Sequence, residues 1–239
     1  SLWVLAAITA GCWAFFLTGS GMGMSVWKVT VFAIPPADSA SGQMAMASQG
    51  MANPLQTLVM WWTMMLAMMM PGALPHIRLH KLRAPNSLTS VLVFALEYAA
   101  VWLVLSAAAT VLQYLLISQG LLEGMKLWST SGSFSAALLA IAGVYQFSAW
   151  KRRGLSNCTR ISKLYPSRWA GLRYGGHCLL ATGPLMLLLF VGGVMNVYWV
   201  AGLTLAVALE KWQSGSRIPS RIIGAICLAL AVIALPLWS

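Results

Sequence analysis

The stretch MWWTMMLAMMMP, residues 60–71, places six methionines and two tryptophans within twelve residues of an apolar run. Methionine thioether is a soft ligand that selects Cu(I), and it has no proton to lose at biological pH. On a helix, Met60, Met64 and Met68 repeat at i, i+4 and i+8 and form one stripe, with Met65 and Met69 on an adjacent one. Thioethers on successive turns of such a stripe can share one Cu(I). The competing reading is packing, because flexible methionine fills irregular gaps between helices. Upstream, Met22 with Met24 and Met44 with Met46 make two Met-x-Met pairs in a Gly-, Ser- and Ala-rich segment, so eleven of the fourteen methionines lie between residues 22 and 70. These pairs have little apolar sequence around them to pack into, which favours a metal role.

Thiols and imidazoles form the second set of candidates. Cys158 lies in a basic segment and His177-Cys178 opens a later apolar run, so thiolate and imidazole stand ready as receivers for a soft metal. Cys12 and Cys227 stand singly in apolar runs and read as small buried side chains. His76 and His80, four residues apart, sit among Arg78, Lys81 and Arg83, a setting that repels cations and suits lipid headgroups. Glu97 is the one carboxylate deep in an apolar run, where a charge is expensive, so it marks a pairing or functional site. Glu210 beside Lys211 reads as a boundary ion pair. Trp61 and Trp62 are either interfacial anchors or the walls of a pocket.

The elements that must position these groups are membrane helices. Hydrophobic residues make up 59% of the chain and charged ones 8%, and several apolar runs approach the roughly 18–20 residues that cross a bilayer. The expected fold is an all-α polytopic bundle, one membrane domain over residues 1–239. Fifteen Lys and Arg oppose only Asp38, Glu97, Glu123 and Glu210. That balance resembles a nucleic-acid binder's, but the distribution does not. Thirteen of the bases fall in three clusters between apolar runs: Arg78, Lys81 and Arg83; seven between residues 151 and 173; and Lys211, Arg217 and Arg221. By the positive-inside rule these are cytoplasmic loops, so the expected partner is the lipid bilayer of a bacterial cytoplasmic membrane and not nucleic acid.

The runs between clusters give spans near 2–18, 54–74, 89–117, 132–150, 176–194, 197–210 and 221–238, six to seven in all. Residues 19–53 become an extracytoplasmic Met-rich loop and 151–175 a basic cytoplasmic loop. As a single helix, 176–210 would be about 50 Å long, so a hairpin is expected at Gly192, Gly193, Met195 and Asn196. Ser1 rather than Met opens the chain and no basic stretch precedes the first helix, so upstream residues are expected either to have been removed, as with a cleaved signal peptide, or to lie outside this sequence.

No motif of an enzyme is present: there is no GxSxG, HExxH, phosphate-binding glycine loop or haem-attaching CxxCH. Haem b on His177 would lack a second intramembrane histidine.

Several motifs together resemble a bacterial family of polytopic integral membrane proteins of unknown function, described as predicted metal-binding proteins. They are the Trp/Met run ending in Pro71, Tyr98 and Trp102, GVYQ at 143–146 followed by Lys151 and Cys158, and GLRYG from Gly171. Leu185-Met186, GGVMN at 192–196, Trp199 and Glu210-Lys211 complete the series. The resemblance covers most of the chain and implies a metal-handling membrane protein. The chain departs from the family pattern at Ala181-Thr182-Gly183-Pro184, where a pair of cysteines precedes the Leu-Met, at Ala149-Trp150-Lys151, where a proline and a lysine are expected, and at Glu97, where a small residue is expected. The lost cysteines shift weight from metal transport toward a fold retained for assembly.

Three functions follow. In the first, outer Met-x-Met pairs capture Cu(I), the methionine helix passes it inward, and Cys178, His177 or Cys158 receives it, with copper as the candidate cofactor. In the second, the chain is a non-catalytic accessory subunit or assembly factor of a larger membrane complex, such as a copper oxygenase, an oxidase or a photosynthetic assembly. The third is a proton- or cation-coupled transporter centred on Glu97, for which no inverted repeat is visible.

Overall fold

The computed structural model describes residues 2–18, 53–81, 87–119, 132–163, 169–194, 196–213 and 215–237. Every regular element among them is helical: α1 (Leu2–Leu17), α2 (Pro54–Lys81), α3 (Ser87–Ser118), α4 (Gly132–Phe147), α5 (Ala149–Lys163), α6 (Ala170–Leu187), α7 (Leu189–Gly192), α8 (Val197–Trp212) and α9 (Ile218–Leu237). The expected all-α bundle is what forms. Three helices are long and apolar enough to cross a membrane, Pro54–Leu79, Thr89–Ser118 and Ala170–Gly192. A fourth crossing arises if Ser133–Phe147 and Ala149–Ile161 count as one span bent by 61°, and Ala6–Leu17 and Ile218–Ala234 are shorter apolar helices.

The methionine helix is the hub. α2 packs against α1, α3, α8 and α5, while α3 also packs on α6, α5 on α6, and α9 on α4. Prolines 71 and 75 lie inside α2 and the helix runs through them; neighbouring helices that surround a membrane helix allow the two missing N–H donors. Tryptophans tie the hub to its neighbours. The Trp13 indole donates to the Ala67 carbonyl at 3.0 Å, Trp62 to the Ala99 carbonyl at 3.0 Å, and Trp61 to Gln113 Oε1 at 2.6 Å. Trp61 is fully buried, so of its two expected roles it takes the interior one.

Two departures from the expected layout matter for function. The segment 151–175, expected as a loop, is helical through Lys163 and again from Ala170. The bend at Ser148, whose Oγ accepts from the Trp150 N–H at 3.1 Å, turns the chain so that this basic helix lies along α6. The turn after α6 is built as its residues suggest: Gly193 takes φ 85°, and Asn196 caps α8 by accepting from the Trp199 N–H. Gly192 leaves room for the Trp199 ring, which a Cβ would meet at 2.3 Å. Past the turn the arms part, and α8 lies chiefly on α2 rather than on α6.

Candidate metal centre

Met60, Met64, Met65, Met68 and Met69 are all buried to 1% exposure or less and belong to one continuous apolar core. Their helix is enclosed on several sides, so the methionines pack as well as they could ligate. Met22, Met24, Met44, Met46 and Met195 lie outside the described residues.

The thiols converge where spacing alone could not show it. α5 and α6 pack together and bring Cys158 beside the Cys178 turn of α6, twenty residues along: Cys158 Sγ donates to the Tyr174 carbonyl at 3.9 Å, one turn before Cys178. Both are buried and free. Cys178 is separated by one turn from Tyr174 and by another from Thr182, whose hydroxyl donates to the Cys178 carbonyl at 2.9 Å. Opposite it, α3 supplies Phe94, Tyr98 and Trp102 at i, i+4 and i+8, all buried. The Tyr98 hydroxyl is a junction: it lies 3.5 Å from Cys178 Sγ, donates to the Met69 carbonyl at 3.5 Å, and accepts from Lys211 Nζ at 3.5 Å.

Lys211 comes from the far end of α8. Its stem crosses Gly72 of α2, where an added Cβ would lie 2.8 Å from Lys211 Cδ, and its ammonium stands 6.0 Å from the Tyr98 ring centre and 5.9 Å from that of Tyr174. Aromatic faces give a cation partial compensation. The neighbouring Glu210 is committed elsewhere, since its Oε2 accepts from Lys151 Nζ at 2.7 Å in a pair that is almost wholly buried. Lys211 therefore has no carboxylate partner among the described residues. The Tyr174 hydroxyl is buried with no partner among them either.

His76 corrects an expectation. It is 8% exposed, and its ring lies 5.3 Å from that of Tyr174; Arg78, two residues on, is exposed on another face of α2, so His76 turns into the bundle and away from headgroups. His177 is half-buried and, one residue before Cys178, lies about 100° around α6 from it. Among the described residues no three His, Cys, Asp or Glu side chains gather as a metal group. The donor set at the convergence is thus two thiols flanked by an imidazole, phenols and an ammonium, which suits a soft monovalent ion better than a hard one.

Glu97 has a structural task. Its Oε2 accepts from the Gly171 N–H at 2.8 Å and the Leu172 N–H at 3.3 Å, while Trp169, the residue before α6, offers no side-chain cap. A carboxylate from α3 so satisfies the first amides of α6 and meets the positive end of its dipole. Gly171 permits the approach, because a Cβ there would stand 2.3 Å from the Phe94 carbonyl oxygen.

Tyr98, Tyr174 and Lys211 each stood in a motif that carried the family resemblance, without reading as site residues. Their signal was their place in GLRYG, in the third apolar run and in Glu-Lys. No curated protein and no solved structure matches the chain. A family model described as copper chaperone, PpoB2, matches residues 58–234, a stretch that contains every residue of this convergence. With well over half its length matched, the chain belongs to the PpoB2 copper chaperone family.

Proposed function

We propose that this protein carries Cu(I) on Cys158 and Cys178 within a bacterial cytoplasmic membrane, basic loops inward, and hands it to a partner protein. The observation that carries the reading is a buried ammonium, Lys211, without a carboxylate among the described residues, joined through the Tyr98 hydroxyl to Cys178 and lying over the Tyr174 ring near Cys158, both thiols buried. Cuprous ion accepts a linear pair of thiolates. When it binds, both thiol protons leave, and one Cu(I) with two thiolates bears a single negative charge. Lys211 neutralises that charge, and the Tyr98 hydroxyl, within reach of both Lys211 and Cys178, steadies it. Met65 and Met69 share a face of α2 with Gly72 and His76 and form the approach, while Met60 and Met64 lie farther around the helix and fill the core. The Met-x-Met pairs Met22–Met24 and Met44–Met46 are the first contact in this scheme. His177 is a ligand during transfer only.

The test is copper loading of the full chain, purified in detergent under reductant, against a chromophoric Cu(I) chelator. The wild type is expected to withhold Cu(I) from the chelator. The double variant Cys158→Ser/Cys178→Ser should surrender it while melting at the wild-type temperature. Equal retention by that variant would refute the assignment.

A further inference from the structure

A second concentration of polar groups lies away from the thiols, at the bend between α4 and α5. A cavity of about 640 Å³ opens there, lined by Gln146, Arg152, Arg153, Arg217, Ser220 and Arg221 among others, with no acidic residue in its wall among the described residues. Lys151 also borders it, but its charge is already met by Glu210. The four arginines are exposed and have no carboxylate partner among the described residues. The first turns of both α5 and α9 contribute to the wall, so two helix N-termini bring the positive ends of their dipoles to the same space, although the Trp150 and Ile218 amides are already capped by Ser148 and Ser216.

Charge alone would describe a solvated basic face. Gln146 argues for more. It is only 3% exposed, it borders the cavity, and neither its Nε2 nor its Oε1 finds a partner among the described residues. Native proteins rarely leave a buried amide unmatched on both atoms. α9 presses closely on this residue at Gly224, where a Cβ would stand 2.9 Å from Gln146 Cβ, which restricts its freedom to turn away toward water. An oxyanion would accept from Nε2, and a hydroxyl or amine attached beside it would donate to Oε1. Planar guanidinium groups match phosphoryl oxygens in pairs.

We infer that this cavity binds the phosphoryl group of an anionic phosphate ester, held by Arg152, Arg153, Arg217 and Arg221 and by the Gln146 amide. The ester is either a membrane lipid headgroup or a soluble phosphate compound. Nothing in this assignment depends on copper.

The experiment uses the full chain in detergent, with phosphatidylglycerol, phosphatidylcholine, glycerol phosphate and inorganic phosphate as probes. Lipid retention is read by native mass spectrometry and soluble binding by the shift in melting temperature. The wild type is expected to retain phosphatidylglycerol over phosphatidylcholine, or to be stabilised by the soluble phosphates. The first result identifies a lipid as the source, and the second a soluble ester. Arg217→Gln/Arg221→Gln should weaken whichever binding is seen on the order of tenfold. Gln146→Leu should weaken it less and keep the fold, since it replaces an unmatched amide with an apolar side chain. Arg160→Gln, an exposed change outside the cavity, should leave binding intact. Wild-type binding in both cavity variants, equal loss in Arg160→Gln, or no binding of any probe would overturn the proposal.

Discussion

Glu210 and Lys211 follow one another on α8 and are equally buried, yet the fold completes the charge at one position and leaves it open at the other. On the Glu210 side, Lys151 closes an ion pair at 2.7 Å. On the Lys211 side, the ammonium meets a phenol hydroxyl and two aromatic faces, and no carboxylate reaches it among the described residues. Moving an ion into an apolar interior costs several kcal/mol unless it is matched. The first region therefore balances its charge internally, although Glu210 Oε1 is buried with no partner among the described residues. The second lacks a matching carboxylate among the described residues, and it is the region with the thiols. In the proposed role, the charge that answers Lys211 arrives with the ion.

This contrast can be broken in three ways. The largest effect is expected on the closed side. Glu210→Gln strands Lys151 in the interior and should lower the unfolding free energy by about 3–5 kcal/mol, read from denaturant melts in detergent. Lys151→Met/Glu210→Leu, which removes both charges, should recover most of that loss. A single variant as stable as the wild type would erase the distinction between the two regions.

On the open side the expected pattern inverts. Lys211→Met keeps the length of the stem and removes a buried charge that no carboxylate balances among the described residues, so stability should not fall and should rise by about 1 kcal/mol or more. Chelator competition should nonetheless show Cu(I) affinity lower by about tenfold, or roughly 1.4 kcal/mol. A large stability loss with unchanged affinity would make Lys211 a structural residue.

The smallest effect concerns the methionines. Both Met60→Leu/Met64→Leu and Met65→Leu/Met69→Leu conserve volume and should cost less than about 1.5 kcal/mol per site. Equilibrium Cu(I) affinity should hold in both, while stopped-flow loading should slow only in the second pair. Identical loading curves would confine all four methionines to packing.

The helical class was legible in composition alone, because long apolar runs separated by basic clusters leave few alternatives. The turn at Gly193 and Asn196 was legible too, since each carries turn chemistry in its own side chain or lack of one. The centre was not. Cys158, Cys178, His76, Tyr98 and Lys211 come from five helices, and nothing local to any of them records which faces meet. His76 was misread because its sequence neighbours are basic, although a helix sends adjacent residues to different faces. Glu97 stands out in the sequence as a carboxylate in an apolar run, but its partner, the start of α6, is a pair of backbone amides 74 and 75 positions away, which no side-chain pattern announces.

Gly72 has a kinetic consequence. Because the Lys211 stem lies in the slot that this glycine leaves open, its rotamers are restricted once the chain has folded. A free lysine side chain would surrender up to roughly 2 kcal/mol of conformational entropy on being ordered. Here that ordering precedes the arrival of any ion. In the proposed role, the ion enters and departs without a side chain being gathered or released, so the exchange step carries no reorganisation barrier from its counter-charge. A protein whose task is to give its cargo away gains most from such a site, for which tightness and quick release need not be opposed.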